Sequence, residues 1–346
     1  MTTANVEVRS SYLTQELVRV EFANSMLVSD HPVFMGGSGR GPSPGAMMLA
    51  ALTSSGVLAA RRQAAANGGG LQAARAAANA RYDRETVVGH MPTIVTTGQV
   101  YQQIELFGGA IDDLEALRPA IENCAVARTL REGLELDEEV ILQRSNRPRL
   151  PVASRNEVLW ANETPLFGMA AGQTLDGPAP VRWSAVATDA GEDNVLVDLP
   201  GAMMTVSRVM GAPGGPSPAE LMAAALSTCT AIFVARNAAF RGIPLEAVDV
   251  SVRLETDAEQ TQPIRRMTKT AILRGDLTDD EFAQCKFFAD FCAIGNSMKR
   301  GMPIADTLSI SLVPGDETRR PALIGGLGEV AAPVGAECVD GTCCIP

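Results

Sequence analysis

The chain has 346 residues, enough for two ordinary domains or one large core, and its 46% apolar content is that of a globular protein. A net charge of −11 excludes the basic surface that nucleic acid binding requires. The first residues lack the basic start and apolar stretch of a secretory signal, and the longest apolar runs, 46–60 and 221–235, are shorter than the ~20 residues of a membrane span. We therefore predict neither a nucleic acid nor a membrane partner, and we interpret both runs as buried helices.

The first part of the chain predicts a mixture of helices and strands. The motif GPSP at 41–44 precedes a long apolar helix. Further on, QVYQQIELFGG predicts a strand, DDLEALRPAIENC a helix and EEVILQ a closing strand. The stretch 64–83 is rich in alanine and glycine and predicts either an extra helix or an irregular excursion. The polar, proline-broken segment 145–156 is typical of a linker.

The second part predicts the order β-β-α-β-β-α-β. DNVLVDL and MMTVSRV predict strands, and Ser217 then caps a helix from Pro218 to about Phe240 with an apolar stripe of period 3.6. LEAVDVSVRLE alternates with period two, as a half-buried strand does, and MTKTAILRG predicts its hairpin neighbour. A second helix begins at Thr278, and DTLSISLVP predicts the closing strand.

An internal repeat organises these elements. GPSP recurs 174 residues after its first appearance, and this offset places Ser55 on Cys229. ENCAVARTL around Cys124 and DFCAIGNSM around Cys292 form a second matching pair. We therefore predict an α+β protein made of two tandem copies of one domain, with the boundaries 1–144 for the first copy, 145–156 for the linker, 157–313 for the second copy and 314–346 for a flexible tail.

Cysteine usage indicates a reducing compartment. There are seven cysteines, an odd number, and no signal peptide is evident, so the thiols are expected to be reactive groups or ligands rather than structural disulfides. A cytoplasmic location follows as an expectation. The only two histidines, His31 and His90, have no spacing typical of metal or triad chemistry, so no firm metal site and no cofactor are predicted.

Cys229 and its surroundings allow two interpretations. Cys229 lies on the apolar stripe of its helix, where a free cysteine is either a nucleophile or a small buried side chain. Cys285, seven residues before Cys292, is either a third accessible thiol or a buried spacer. A cluster of aromatic residues on the same helix lines either an apolar substrate pocket or the core: Phe287, Phe288 and Phe291.

Two stretches resemble a known family. The GPSP-x-E-L helix that carries Cys229 and the second helix with C-A-I-x-N-S resemble the OsmC/Ohr family of osmotically inducible and organic-hydroperoxide-resistance proteins. The resemblance implies an intertwined dimer, with two long central helices packed between curved antiparallel sheets and active sites at the interface. A tandem chain would be that dimer fused into one polypeptide, an intramolecular pseudo-dimer. Assembly into a higher homo-oligomer is left open.

The resemblance also implies roles for individual residues. In the family's peroxidases the first thiol attacks the hydroperoxide and the second resolves the product as a disulfide, which assigns these roles to Cys229 and Cys292. An arginine before the turn lowers the pKa of the first thiol, and Arg208 matches it. The partners implied are a small-molecule electrophile and a dithiol reductant.

Several positions depart from the family pattern. Ala219 stands where the peroxidases have glutamate, and Ala293 stands where they have proline. The nearest acid, Glu220, lies on the face of the helix opposite Cys229, so we predict that it stabilises the helix N-terminus. In the first copy Ser55 replaces the attacking thiol and Phe34 replaces the arginine, so we predict that this copy completes the fold without chemistry of its own.

The tail concentrates three thiols in its last nine residues, and their spacing leaves three interpretations. The tail cysteines could relay electrons to a buried disulfide, bind a soft metal such as Cu(I), Zn(II) or Hg(II), or be incidental. They are Cys338, Cys343 and Cys344.

Three functions therefore compete. The first is a thiol-dependent, peroxidase-like redox enzyme that acts on a small organic hydroperoxide or a related electrophile. The second is a cysteine-nucleophile hydrolase on the same scaffold, and the third is a soft-metal or organometal binding protein centred on the tail.

Overall fold

The structure is a computed structural model whose described residues are 3–14, 17–31, 37–85, 94–108, 111–144, 182–191, 193–200, 202–212, 214–257, 260–312, 337–339 and 342–344. The predicted linker at 145–156 lies outside these residues, as do most of the predicted tail, Phe34 and His90.

The elements fall into two sets with the same order. The first half of the chain contains β1 (Thr3–Thr14), β2 (Leu17–Glu21), β3 (Met26–Ser29), α1 (Pro44–Ala66), β4 (Leu71–Glu85), β5 (Ile94–Gly108), α2 (Ile111–Glu115), α3 (Arg118–Glu122), α4 (Ala125–Glu132) and β6 (Glu135–Gln143). The second half contains β7 (Arg182–Asp189), β8 (Asn194–Leu199), β9 (Ala202–Ser207), α5 (Pro218–Phe240), β10 (Leu245–Asp257), β11 (Arg266–Gly275), α6 (Asp279–Asp290), α7 (Ala293–Arg300) and β12 (Ile304–Leu312). A short hairpin of β13 (Glu337–Val339) and β14 (Thr342–Cys344) follows.

Two six-stranded sheets each combine strands from both halves. Their orders are β3-β2-β1-β10-β11-β6 and β12-β5-β4-β7-β8-β9. The halves join at antiparallel pairs, with Val8 of β1 opposite Val252 of β10 and Ala78 of β4 opposite Ala185 of β7. One edge of each sheet is a parallel pair, β11–β6 or β5–β12. Because both six-stranded sheets need strands from both halves, the described halves fold as one unit.

Helices α1 and α5 pack against each other in the centre of the molecule. Helix α1 packs on β4 and β7, and α5 packs on β1 and β10, so each helix covers a different sheet. Every residue from Pro218 to Thr228 is buried, which is typical of a helix that has apolar neighbours on all sides. The single apolar stripe predicted for α5 is therefore wrong, because one sheet, α1, α6 and α7 together surround the helix.

The two GPSP motifs begin these helices in the same way. Ser43 Oγ accepts a hydrogen bond from Ala46 N–H at 3.3 Å, and Ser217 Oγ accepts one from Glu220 N–H at 3.3 Å. A proline at the first helical position needs no partner for its nitrogen, so serine followed by proline is a favourable helix start. The predicted cap at Ser217 and the predicted span of α5 are confirmed.

Reciprocal backbone bonds tie the two halves together near their second helices. Leu134 N–H donates to the carbonyl of Met298 at 2.9 Å, and Met302 N–H donates to the carbonyl of Leu130 at 2.7 Å. Residues 134 and 302 each follow the last helix of their own half, so the same contact is made twice with the halves exchanged.

Other sequence predictions need correction. The stretch 64–83 forms the end of α1 and most of β4, a long strand, instead of an extra helix or an irregular excursion. A strand before the second GPSP motif, β7, was not predicted. The predicted helix from Thr278 is two helices, because Cys292 leaves the helical conformation and caps α7. The tail was predicted to lack regular structure, whereas 337–344 includes two paired strands.

Candidate functional site

Two thiols from the second half come together beside the central helices. Cys229 lies on α5, and Cys292 precedes the first residue of α7. The Cys229 thiol donates a hydrogen bond to the sulfur of Cys292. Both thiols are free in this structure, with Cys292 fully buried and Cys229 partly exposed. Of the two residues, Cys229 is therefore the one with surface open to solvent.

The sulfur of Cys292 lies at the N-terminus of a helix. Gly295 N–H donates to Cys292 Sγ at 3.3 Å, and the Thr230 hydroxyl lies 3.3 Å from the same sulfur. A Cβ atom on residue 295 would stand 3.1 Å from Cys292 Sγ and 3.3 Å from Leu226, so glycine allows this close approach. Backbone N–H groups at a helix N-terminus stabilise a negative charge, and such a position favours a thiolate.

The two thiols have opposite pKa shifts. The hydrogen bond from Cys229 lowers the pKa of Cys292 to about 6, with further help from Lys269, Thr230 and Gly295 against the effect of burial. The same hydrogen bond, burial and the negative charge on Cys292 raise the pKa of Cys229 well above its usual value. The pair therefore holds one proton near neutral pH, and the negative charge lies on Cys292.

Lys269 of β11 contributes positive charge to this site and was missed at the sequence level. Its side chain is fully buried, and its Nζ donates to Glu138 Oε1 at 2.5 Å and to the carbonyl of Ala289 at 2.5 Å. A signal was present, because Lys269 occupies a core position in the period-two pattern between Met267 and Ala271. A lysine in that position is rarely buried without a partner.

The first half contains a corresponding pair without the attacking thiol. Ser55 hydrogen-bonds to Cys124, and burial raises the pKa of the Cys124 thiol. Both residues line a pocket of about 10 Å³ together with Arg62 and Gln260. This volume is close to that of a single water site, so the pocket as it stands has no room for an organic substrate.

Arg208 lies in this first-half pocket, beside Ser55 and Cys124. Its guanidinium donates to Asp193 at 2.7 and 3.1 Å. The structure thus brings Arg208 to the cysteine of the other half. The equivalent position for the Cys229 site, Phe34, lies outside the described residues.

Glu220 has the structural role that its helical position predicts. Its Oε2 accepts a hydrogen bond from Ser217 N–H at 2.7 Å, while its own N–H donates to Ser217 Oγ. This reciprocal capping box satisfies two free donors at the start of α5. The prediction that Glu220 stabilises the helix N-terminus is confirmed.

The aromatic cluster divides into core and surface members. Phe288 is fully buried and contacts Phe233 edge to face, with ring centroids 6.3 Å apart. Phe287 and Phe291 are half-buried and stack on each other at 4.4 Å. Cys285 is fully buried, and burial raises its pKa to about 12, so the interpretation as a buried spacer is confirmed.

The tail cysteines lie in the hairpin, where the backbones of Cys338 and Cys343 are directly opposite each other. Among the residues whose side chains are described, no group of three or more potential metal ligands occurs.

Within the described ranges one helix, α5, is long and apolar enough to cross a membrane, but 89% of its most apolar window is buried inside the protein. Burial to this extent is characteristic of a core helix.

The fold and the site define a class, an α+β protein with a thiol pair held between a central helix and the N-terminus of a second one. Residues 211–305 match the family model described as OsmC-like protein, so this segment of the chain is similar to that family. It includes α5 and both residues of the thiol pair. The family resemblance predicted from the sequence is confirmed for this segment.

Other comparisons give distant relatives. No curated protein matches the chain. A structure from Psychrobacter arcticus 273-4, described as an osmotic stress induced and detoxification response protein, is 14% identical with a TM-score of 0.27, covering 35% of this chain and 85% of that one. A protein of Aquifex aeolicus VF5, described as hypothetical, is 10% identical with a TM-score of 0.30, covering 38% and 96% of the two chains.

Proposed function

We propose that this protein is a thiol-dependent, peroxidase-like oxidoreductase that reduces a small organic hydroperoxide through Cys229 and Cys292. The observation that carries the proposal is the contact between the two thiols, one partly exposed and the other held as a thiolate at a helix N-terminus. Two free cysteines in this arrangement can form a disulfide with little movement of the chain.

The reaction balances with the two thiols and one hydroperoxide. Cys229 passes its proton to the Cys292 thiolate, and the resulting Cys229 thiolate attacks the distal oxygen of the hydroperoxide. The O–O bond breaks, and the departing alkoxide takes the proton back from Cys292, which gives an alcohol, a Cys229 sulfenic acid and a Cys292 thiolate. Cys292 thiolate then attacks the Cys229 sulfur and displaces hydroxide, so that a disulfide forms. In total two thiols are oxidised, and the hydroperoxide is reduced to alcohol and water.

The surroundings of Cys229 favour an organic substrate. Phe233 lies one helical turn after Cys229, on the same side of α5, and is half-buried. Its contact with Phe288 links it to the stacked rings of Phe287 and Phe291. We propose that the half-buried rings line the approach of the substrate, whereas Phe288 supports them from the core.

A dithiol reductant must return the disulfide to two thiols. Each cycle consumes one dithiol by exchange. One thiolate of the reductant attacks a sulfur of the enzyme disulfide, and the second thiol of the reductant then resolves the mixed disulfide and releases the reduced enzyme. We propose that the tail cysteines take part in this step and that the protein works in a reducing compartment such as the cytoplasm. The pairing of the strands that carry Cys338 and Cys343 supports this role, because it brings the two positions opposite each other in the backbone.

We further propose that the chain is two OsmC-like units fused into an intramolecular pseudo-dimer. Three observations support this: the repeated element order, the exchange of strands between the sheets, and the reciprocal bonds between Leu134 and Met298 and between Met302 and Leu130. Reciprocity of this kind is characteristic of a two-fold interface.

Steady-state reduction of cumene hydroperoxide by a small dithiol tests the proposed activity. We expect Cys229→Ser and Cys292→Ser to abolish turnover in the full-length protein. Cys285→Ser is the matched control, because it makes the same atomic change at a buried thiol outside the pair and should retain turnover. Turnover that survives in Cys229→Ser would contradict the proposal, and a stable adduct on Cys229 without a disulfide would favour the hydrolase.

A further inference from the structure

A buried ammonium group lies beside the end of α6, three residues before Cys292. Lysine is almost never fully buried unless its charge is balanced, and Lys269 side chain is 0% exposed. Glu138 from β6 binds its Nζ, and Lys299 from α7 binds the other oxygen of the same carboxylate at 2.9 Å. One carboxylate thus serves two ammonium groups, and the group of three carries a net positive charge.

A hydrogen bond places Lys269 near Cys292. Its Nζ donates at 2.5 Å to the carbonyl of Ala289, three residues before Cys292 and near the end of the helix that precedes it. The positive charge of Lys269 lowers the pKa of both Cys229 and Cys292. The charged and titratable groups around it come from four elements and are Glu138, Lys286, Asp290, Lys299, Cys229 and Cys292.

The first half provides an internal comparison. In the parallel pair β11–β6, Lys269 stands opposite Glu138, and in the parallel pair β5–β12 the buried Gln102 stands opposite Asp306. Arg131 of α4 binds Asp306, as Lys299 of α7 binds Glu138. The two sites therefore share an acid and an outer cation, but the buried ammonium is present in only one of them.

The two halves, which differ in the buried ammonium, also differ in their thiols. The half with the ammonium has a pair of cysteines, and the half with Gln102 has Ser55 next to Cys124. In the first half burial raises the pKa of the remaining thiol, and a glutamine cannot offset this with charge. The buried lysine thus occurs in the half whose two cysteines form a pair, where a negative charge on sulfur is needed for the proposed reaction.

We infer that Lys269 is a positioning residue for the thiol pair, whose buried ammonium, held in place by Glu138 beside the segment that leads to Cys292, stabilises the negative charge of the reduced pair. The inference deepens the proposed function and rests on it, because a stabilised negative charge keeps a thiolate available in the pair.

A titration of the reduced pair tests this assignment without a substrate. The readout is thiolate absorbance at 240 nm against pH in the full-length protein, from which the signal of the matching Cys292→Ser variant is subtracted. Removing a neighbouring positive charge should raise the pKa, and an opposite charge near a thiol changes its pKa by about 1–3 units. We therefore expect Lys269→Gln to raise the apparent pKa of the pair by about one unit or more.

Substitution of the partner separates charge from structure. Glu138→Gln keeps the ammonium but removes its counter-charge, so the apparent pKa should fall or stay unchanged. If Lys269 had only a structural role, the apparent pKa would shift in the same direction in both variants, since both disturb the same buried contact. Gln102→Ala, at the matching position of the other half, should leave the titration of the pair as in the wild type.

Lys269→Gln removes one of the two cations that bind Glu138 and leaves Lys299 in place, so the folding of this variant must be checked. The double variant Lys269→Gln/Glu138→Gln keeps the net charge of the region and should show a smaller rise of the pKa than Lys269→Gln, because the two removed charges have opposite effects. An unchanged pKa in the folded Lys269→Gln variant would overturn the inference, as would equal shifts in Lys269→Gln and Glu138→Gln. A raised pKa in Lys269→Gln together with a wild-type protein that does not reduce hydroperoxides would instead contradict the proposed function and leave the role of Lys269 intact.

Discussion

The hydroxyl of Thr230 offers a quantitative test of the thiolate on Cys292. Thr230→Val removes the hydroxyl that lies 3.3 Å from Cys292 Sγ and changes the shape of the side chain very little. The same hydroxyl lies 2.9 Å from the carbonyl of Leu226, and its single proton cannot serve both acceptors fully.

The expected shift is the difference between two hydrogen bonds. A bond to a charged acceptor contributes about 1.5–3 kcal/mol, and the competing bond to a neutral carbonyl contributes about 0.5–1.5 kcal/mol. A net loss of about 1 kcal/mol corresponds to about 0.7 of a pKa unit. Because the lost donor favours the thiolate, Thr230→Val should raise the pKa of Cys292 from its lowered value of about 6.

The measurement is thiolate absorbance against pH, with the matching Cys292→Ser variant subtracted. Thr228→Val is the control, because Thr228 is equally buried on α5 but its hydroxyl lies 3.2 Å from Ser10 Oγ, away from the thiol pair. A titration of Thr230→Val that matches the wild type, or an equal shift in Thr228→Val, would refute this explanation of the lowered pKa.

Further substitutions test the assignment of roles. Ser55→Ala should leave hydroperoxide turnover within a few-fold of the wild type, measured under the conditions in which Cys229→Ser is inactive. A loss as large as that of Cys229→Ser would show that the first half contributes to the chemistry. Glu220→Ala should lower the free energy of unfolding in denaturant by about 1 kcal/mol through loss of the capping box, while disulfide formation continues at a similar rate; a large loss of rate would restore Glu220 to the catalytic site. Truncation after Val313 keeps β12 but removes the tail cysteines. The first stoichiometric oxidation should therefore persist, while repeated turnover with a dithiol stops. Undiminished turnover would remove the tail from the cycle.

Local rules made part of the fold predictable. The starts of α5 and α6 follow from Ser217 and Thr278, whose side chains cap nearby backbone groups. Strand β4 could not be predicted in the same way, because Ala73 to Ala80 are residues with high helix propensity. Pairing with β5 on one side and β7 on the other decides their conformation.

The site was predictable only where the residues lie close in sequence or match a family motif. Cys229 and Cys292 were found through such motifs, whereas the partner of Lys269 lies 131 residues away on the other half of the chain. The same exchange between halves explains Arg208, which precedes Cys229 in sequence but lines the pocket of Ser55 and Cys124. Linear spacing cannot reveal which half completes which site.

The central claim is that Cys229 and Cys292 act as one redox pair, and peptide mapping after a single oxidation tests it most directly. The fully reduced protein is treated with one equivalent of cumene hydroperoxide, blocked with an alkylating reagent, digested and analysed by mass spectrometry. Cys285 provides the internal control, because it is buried outside the pair and should be recovered as a free thiol. We predict that one disulfide links the Cys229 and Cys292 peptides; recovery of both residues as free thiols, or a disulfide that joins either of them to another cysteine instead, would contradict the claim.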